Sequence, residues 1–250
     1  MSKADYHIHT EFSADSQLSL SELIPHAIKL GYGELAITEH LDLSPQELSV
    51  YGVPSLIKYK NVITAFQKQY PDIKLFCGIE VGDFQDVKDF ADPILQEMDF
   101  DLVLGSVHFI TGRINVAMPM KTPLTRDEIL NYYENNLRLV ETCDIDVLAH
   151  LGVYKRYYHQ SPDEKHCLPV IKRIFSTIIE RNIALEINFS AFRRTYQNLH
   201  PEPEYLELYK SIGGKLVTLG SDSHTLSHFN DNYDYALQVS HKIGLERLRI

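Results

Sequence analysis

An α/β barrel of alternating strands and helices is the fold this sequence predicts, and three observations point to it. Short apolar runs recur along the chain, several of them continuous, as parallel strands buried on both faces are. Helical patterns lie between them, so the order reads strand then helix about seven times. A histidine or an acid also stands just after run upon run, as at His40, Glu80, His108 and His150. In a barrel the C-terminal ends of the strands converge on one face, where chemistry is built.

The strands are expected at 5–9, 35–38, 74–79, 101–105, 146–149, 184–187 and 215–219. The first helix follows from Leu23, Ile24, Ala27 and Ile28 on one face, with Gly31 as its stop. Pro25 fits its first turn if Ser21 is the N-cap. Thr125 and Glu128 form a capping-box signature ahead of Ile129, Tyr133, Leu137 and Val140. Ile171, Ile174, Phe175, Ile178 and Ile179 mark the next helix. Tyr205, Tyr209 and Ile212 mark a weaker one, and Tyr233, Ala236, Leu237 and Ser240 the last. An open doubly wound sheet is the competing layout, but no GxGxxG follows the first strand. Segments 41–70, 109–124, 151–167 and 188–203 are long for connections and are expected to shape a pocket.

One domain over residues 1–250 accommodates such a barrel. Twenty-four basic residues against 34 acidic ones give a net charge of −10, which disfavours nucleic acid or an anionic membrane as partner. A small anionic substrate stays open, because bound cations invert the local field. No apolar stretch is long enough to span a membrane, and no apolar leader precedes the first motif. Three widely spaced cysteines, Cys77, Cys143 and Cys167, make a disulfide framework unlikely and fit a cytoplasmic protein.

His7 and His9 alternate along a strand and so face one side together, able to share an ion. Asp15 follows six residues later, where a turn acid is the plainer reading and Glu11 competes with it as a ligand. Glu80, a carboxylate at a strand tip among histidines, is a natural bridge between two cations; buried alone it would be costly. Asp222 and His224 project to one side if the backbone there stays extended. Glu39 and Asp83 are left outside the ligand set. The other histidines read as structural or exposed, with His159 and His228 placed nearest the pocket. Lys155 and Arg156 after His150, and Arg193 and Arg194 after the 184–187 strand, suggest anion recognition, since arginine matches phosphate bidentately.

Taken together, His7-Ile8-His9-Thr10, Ile37-Thr38-Glu39-His40, Gly78-Ile79-Glu80, Gly105-Ser106-Val107-His108, the His150 segment and Ser221-Asp222-Ser223-His224 resemble the polymerase-and-histidinol-phosphatase (PHP) superfamily, in its order and over almost the whole chain. The Lys155-Arg156-Tyr157 stretch and the Glu186-Ile187-Asn188 strand resemble its histidinol-phosphatase branch. The resemblance implies a distorted (β/α)7 TIM-like barrel with a trinuclear metal site at the C-terminal ends of the strands. His7, His9, Glu80 and Asp222 would hold one cation. Glu80, His108 and His150 would hold a second, and Asp15, His40 and His224 a third. Many superfamily members carry histidine where Asp15 stands; aspartate favours harder metals. Two or three divalent ions are implied, zinc, iron or manganese. The implied reaction is hydrolysis of L-histidinol phosphate in histidine biosynthesis, with Glu80 and Asp222 catalytic and Arg156, Arg193 and Arg194 on the phosphate. Loop acids and tyrosines would meet the ammonium and imidazole. The alternatives are a phosphoesterase for another small phosphomonoester and a metal-binding PHP module without turnover.

Overall fold

The computed structural model describes residues 2–49 and 53–250; Met1 and residues 50–52, the latter inside the long 41–70 connection, lie outside it. In chain order the elements are β1 (Lys3–Asp5), α1 (Leu20–Lys29), β2 (Tyr32–Asp42), α2 (Pro45–Leu48), α3 (Leu56–Gln69), β3 (Lys74–Gly82), α4 (Phe84–Met98) and β4 (Leu102–Ser106). A short hairpin follows, β5 (Phe109–Ile110) and β6 (Ile114–Asn115), then α5 (Arg126–Thr142), β7 (Val147–Leu148), α6 (Leu168–Glu180), β8 (Ala184–Asn188), α7 (Pro203–Ser211), β9 (Leu216–Gly220), α8 (Tyr233–Ile243) and β10 (Glu246–Arg247).

The main sheet runs β1-β2-β3-β4-β7-β8-β9-β10, with every neighbouring pair parallel. At β9 the sheet curls back on itself. Tyr6 N–H donates to Leu219 O, and Ile8 bridges Ser223, so the first strand's continuation meets the continuation of β9. All seven expected strands are present. The short β10 was not expected; its two residues carry almost no apolar pattern to announce a strand.

Two apolar layers position the site. Ala4, Tyr6, Ala36, Leu102, Leu104, Val147, Ala149 and Ala184 fill the inside of the curled sheet, with Phe76 against them. A larger cluster lies between the strands and the helices. Strand alternation carries the inward phase of Ala36, Phe76 and Ala184 onward to His40, Glu80 and Glu186. His40 and Glu80 are register partners across β2 and β3.

The first strand differs from expectation. Its regular pairing stops at Asp5, and Tyr6 packs inside while Ile8 packs in the outer layer. The phase of alternation therefore changes between them, which turns His7 and His9 inward together. Asp5 holds this irregularity: its carboxylate accepts from the N–H groups of His7 (3.2 Å) and Ser221 (3.0 Å). Helix α1 also starts earlier than expected. Ser19, not Ser21, caps it by accepting from Glu22 N–H, and Pro25 sits inside. The proline forfeits only the bond to the carbonyl of Ser21, an exposed residue. The capping box at Thr125 and Glu128 forms as read, and Gly31 ends α1 with φ of +82°.

Candidate metal centre

Glu80 stands at the middle of the barrel mouth, almost fully buried. One carboxylate oxygen, Oε1, lies 2.9 Å from His150 Nε2 and 3.6 Å from His108 Nε2. The other, Oε2, lies 3.1 Å from His40 Nδ1, 3.3 Å from His7 Nε2 and 3.4 Å from His9 Nε2. Asp222 closes one side, its Oδ1 3.6 Å from both His9 Nε2 and His224 Nδ1. Asp15 closes the outer side, its Oδ2 3.3 Å from His224 Nε2 and 3.6 Å from His40 Nε2. All nine residues expected as ligands thus come together, from six different strand ends and their following turns.

The backbone does unusual things to achieve this. Asp222 and His150 have φ of +52° and +26°, a region that costs L-residues of order 1–3 kcal/mol. The 221–224 segment is therefore not extended, contrary to the condition set on it above, yet both side chains still converge. Two bonds hold Asp222: Arg156 Nη2 donates to its Oδ2 at 2.9 Å, and Arg193 Nη2 donates to its carbonyl at 3.0 Å.

The charges are set by burial and by one another. Burial alone would raise the Glu80 carboxyl, but His7 and the bonds from His108, His150 and His40 hold it well below the usual range. Burial would likewise raise Asp222, and His7 and Arg156 keep it well below. Burial, with His40, His224 and His7 around it, pushes His9 well below the usual imidazole value, which favours its neutral, metal-binding form. Its Nε2 lies 3.0 Å from that of His7. Ligands must be deprotonated to take a metal, and an all-nitrogen-and-carboxylate set suits borderline divalent ions. Three tight groupings could each hold one: His7, His9 and Asp222; His7, Glu80 and His150; and His9, His40 and His224. The donor set fits divalent cations.

Sequence reasoning missed the residues that orient these ligands. Glu186, buried in β8, takes His7 Nδ1 at 2.7 Å on Oε1 and His150 N–H at 2.6 Å on Oε2. Such carboxylate partners fix the ring and raise its basicity. Its signal was there to read: an acid inside an apolar strand run. Asp42, two residues past His40 on β2, lies 3.4 Å from His40 Nδ1 and 3.7 Å from His108 Nδ1. Glu39, set outside the ligand set, accepts from Thr10 and Ser13. Asp83, also set outside, accepts from the N–H groups of His108 and Phe109.

The positive residues divide. Arg156 lines the cavity over the cluster and also donates to Ser190 Oγ at 2.9 Å. Arg193 is bonded to the carbonyls of Ser221 and Asp222, and Arg194 lies over the Tyr157 ring; neither lines that cavity. Lys155 turns away from the anion site: fully buried, it pairs with Glu164 (3.0 Å) and Glu202 (2.5 Å). Tyr133, Tyr154 and Tyr205 donate to the first of these acids, and Tyr196 and Ser161 to the second. Burial makes a lone lysine costly, so these acids recruit it as a structural pair rather than an anion contact. His159 and His228 do not line the cavity either. Of the histidines outside the ligand set it is His200 that lies fully buried near Arg156 and His150, stacked on Tyr196.

Known proteins resemble this chain in sequence and in fold. A probable histidinol-phosphatase of Clostridium acetobutylicum is 29% identical, over 97% of this chain and 94% of its own. A crystal structure of histidinol phosphate phosphatase from Lactococcus lactis, in complex with zinc, L-histidinol and phosphate, superposes with a TM-score of 0.85 at 28% identity, covering 99% of this chain and 95% of that one. A Listeria monocytogenes structure described as a histidinol phosphatase shares the fold, with a TM-score of 0.84 at 19% identity over 93% of this chain and 99% of its own. The family model for the PHP domain matches residues 5–190, from the strand that carries His7 to the turn after Glu186. That match takes in most of the sequence and five of the six strand ends that carry the expected ligands, and the chain belongs to the PHP domain family.

Proposed function

We propose that this chain is a metal-dependent histidinol-phosphatase, hydrolysing L-histidinol phosphate to L-histidinol and phosphate. The observation that carries the reading is one cavity whose lining sets seven of the nine imidazole and carboxylate side chains against Arg156, with His7 and His9 fully buried beside them. In support, near-full-length relatives bear that activity in their names, and the Lactococcus protein was crystallised with L-histidinol and phosphate. Residues 1–250 act as one catalytic unit in this reading, and the three free, buried cysteines fit a reducing cytoplasm. Among the described residues no helix is long and apolar enough to cross a membrane.

We assign His7, His9, Asp15, His40, Glu80, His108, His150, Asp222 and His224 as ligands of two or three divalent ions. When bound, such ions supply Lewis acidity that activates water near neutral pH and neutralises phosphoryl charge. Zinc, the ion named with the Lactococcus structure, heads the choice over manganese and iron. Arg156 is the principal phosphoryl contact, its guanidinium already steadied by Ser190 and Asp222. Arg193 and Arg194 stand behind it and add positive potential as charge moves toward the leaving oxygen. Asp222 is ionised at rest, so it acts first as acceptor. Its Oδ1 takes a proton from the attacking water; the water oxygen bonds phosphorus as the ester P–O bond breaks; the leaving alkoxide then takes that proton back. Glu80 holds five imidazoles in register throughout.

A phosphate-release assay with L-histidinol phosphate, ribose 5-phosphate, a nucleoside monophosphate and phosphotyrosine tests the substrate. The expected result is a kcat/KM for histidinol phosphate at least tenfold above the rest. A metal-loaded protein that ignores it and cleaves another ester would overturn the substrate and leave the chemistry.

A further inference from the structure

Five acids line the cavity: Asp15, Asp42, Glu47, Glu80 and Asp222. Four are committed. Glu80, Asp222 and Asp15 touch the imidazole cluster directly, and Asp42 stands on the Nδ1 atoms of His40 and His108. Glu47 alone among them forms no ion pair or hydrogen bond with a histidine among the described residues. It lines the same cavity from α2, with its Oε1 taking a bond from Asn115 Nδ2 at 3.2 Å. Asn115 in turn accepts from Ala117 N–H through its Oδ1, so the amide cannot flip without loss. The neighbouring wall is apolar, from Phe12, Pro54 and Met118.

Glu47 is buried, yet among the described residues no lysine, arginine or histidine forms an ion pair with it. Burial and the nearby Asp42 carboxylate push its carboxyl above the usual value, against the longer-range pull of His108 and His40. An acid so placed in the lining favours a cation over a neutral or anionic group, whereas the imidazole cluster, once it holds metal ions, favours a phosphoryl group. Together they select a molecule that carries both an anionic and a cationic group.

We infer that Glu47, steadied by Asn115, is the specificity-determining residue of this site: its carboxylate receives the cationic nitrogen of an amino- or imidazole-bearing alcohol phosphate. The inference rests on the phosphomonoesterase reading and names what that reading leaves open, the group that recognises the organic half of the substrate. It also explains why the hairpin β5–β6 exists, since the hairpin brings Asn115 to Glu47 from the opposite connection.

The test compares Glu47→Gln with the parent in two measurements. In the first, kcat/KM is determined for L-histidinol phosphate and for p-nitrophenyl phosphate, which carries no cation. Loss of one bond to a charged group predicts a fall for histidinol phosphate at least about tenfold greater than for p-nitrophenyl phosphate, carried by KM. Turnover of p-nitrophenyl phosphate also reports that the variant is folded. In the second, L-histidinol itself is titrated calorimetrically into both proteins, and the variant is expected to bind about tenfold more weakly. Equal losses on both esters with unchanged L-histidinol affinity would overturn the assignment. A parent that binds L-histidinol through Glu47 but hydrolyses no ester would keep it and overturn the phosphatase reading instead.

Discussion

Glu186 acts on the site at one remove, through the His7 ring and the His150 backbone, and its replacement isolates that role. Glu186→Gln leaves every assigned ligand in place but removes the charge that orients His7. The expected result is a 10- to 100-fold loss of metal affinity, read by competition with a chromophoric chelator. Affinity equal to the parent's would show that the ring is held by other means. Gly220 matters for the same residue. A Cβ there would stand 1.8 Å from Glu186 Oε1, so Gly220→Ala must displace the carboxylate and should reproduce the loss. Residue by residue, most of the assigned ligands were legible because they stand at or just past the tip of an apolar run; Asp15, which reads alone as a turn acid, entered only through the family resemblance. Asp42 and Glu47 were not legible, for lack of any pattern that says which buried acid a fold will bring beneath which histidine, and Glu186 showed as an acid in an apolar run but without its partners. Lys155 misled for a related reason: its two partners, Glu164 and Glu202, are distant in sequence and are joined to it only by the packing of long connections.

At the scale of elements, the long runs of β2 and β3 and the amphipathic helices α5 and α6 were visible, since their periods are dictated by which face is buried. The capping box of α5 was equally visible, and its contribution is measurable. Thr125→Ala should cost about 1 kcal/mol, read from the urea midpoint of unfolding, with no change in metal content. No shift in the midpoint would mean that the cap is redundant. The start of α1 was misplaced by a proline. Its exposed site tolerates the missing bond, a fact of burial that local sequence does not carry. The 41–70 connection holds α2 and the whole of α3, whose buried face is only Leu56, Tyr59 and Ile63, too sparse a stripe to stand out. Yet the expectation that such connections shape the pocket holds, because α2 and the 109–115 hairpin supply Glu47 and Asn115 to its wall.

Across the whole molecule, two charged clusters support the barrel differently with pH. Around Lys155 the chain is fully folded protein, with no ligand required. Burial alone would raise the Glu202 carboxyl, but Lys155 outweighs it and holds it below the usual 4.5. In that window the folded chain binds fewer protons there than the unfolded one, so stability rises with pH across it and is level above about 4.5. Denaturant titrations from pH 3 to 7 should show the parent's advantage over Glu202→Gln growing to about 3 kcal/mol and then flattening, as expected for a broken buried pair. A constant difference at every pH would remove the charge from the explanation. The proposed metal centre would contribute on a different footing, since its ions would bind only the folded state. Chelation should lower Tm by about 5 °C or more. Closure of the sheet was legible as an alternation of elements; its eighth strand and the shift of phase at Tyr6 were not, being settled by how the two ends of the chain meet. The central claim is that the cluster around Glu80 holds the ions that make this chain a phosphatase. It is tested most directly by stripping the protein of metal, restoring zinc or manganese stepwise, and following phosphate release from L-histidinol phosphate alongside metal bound per chain. The account predicts that activity vanishes on stripping and returns as the second or third ion binds; full activity in the stripped protein would contradict it.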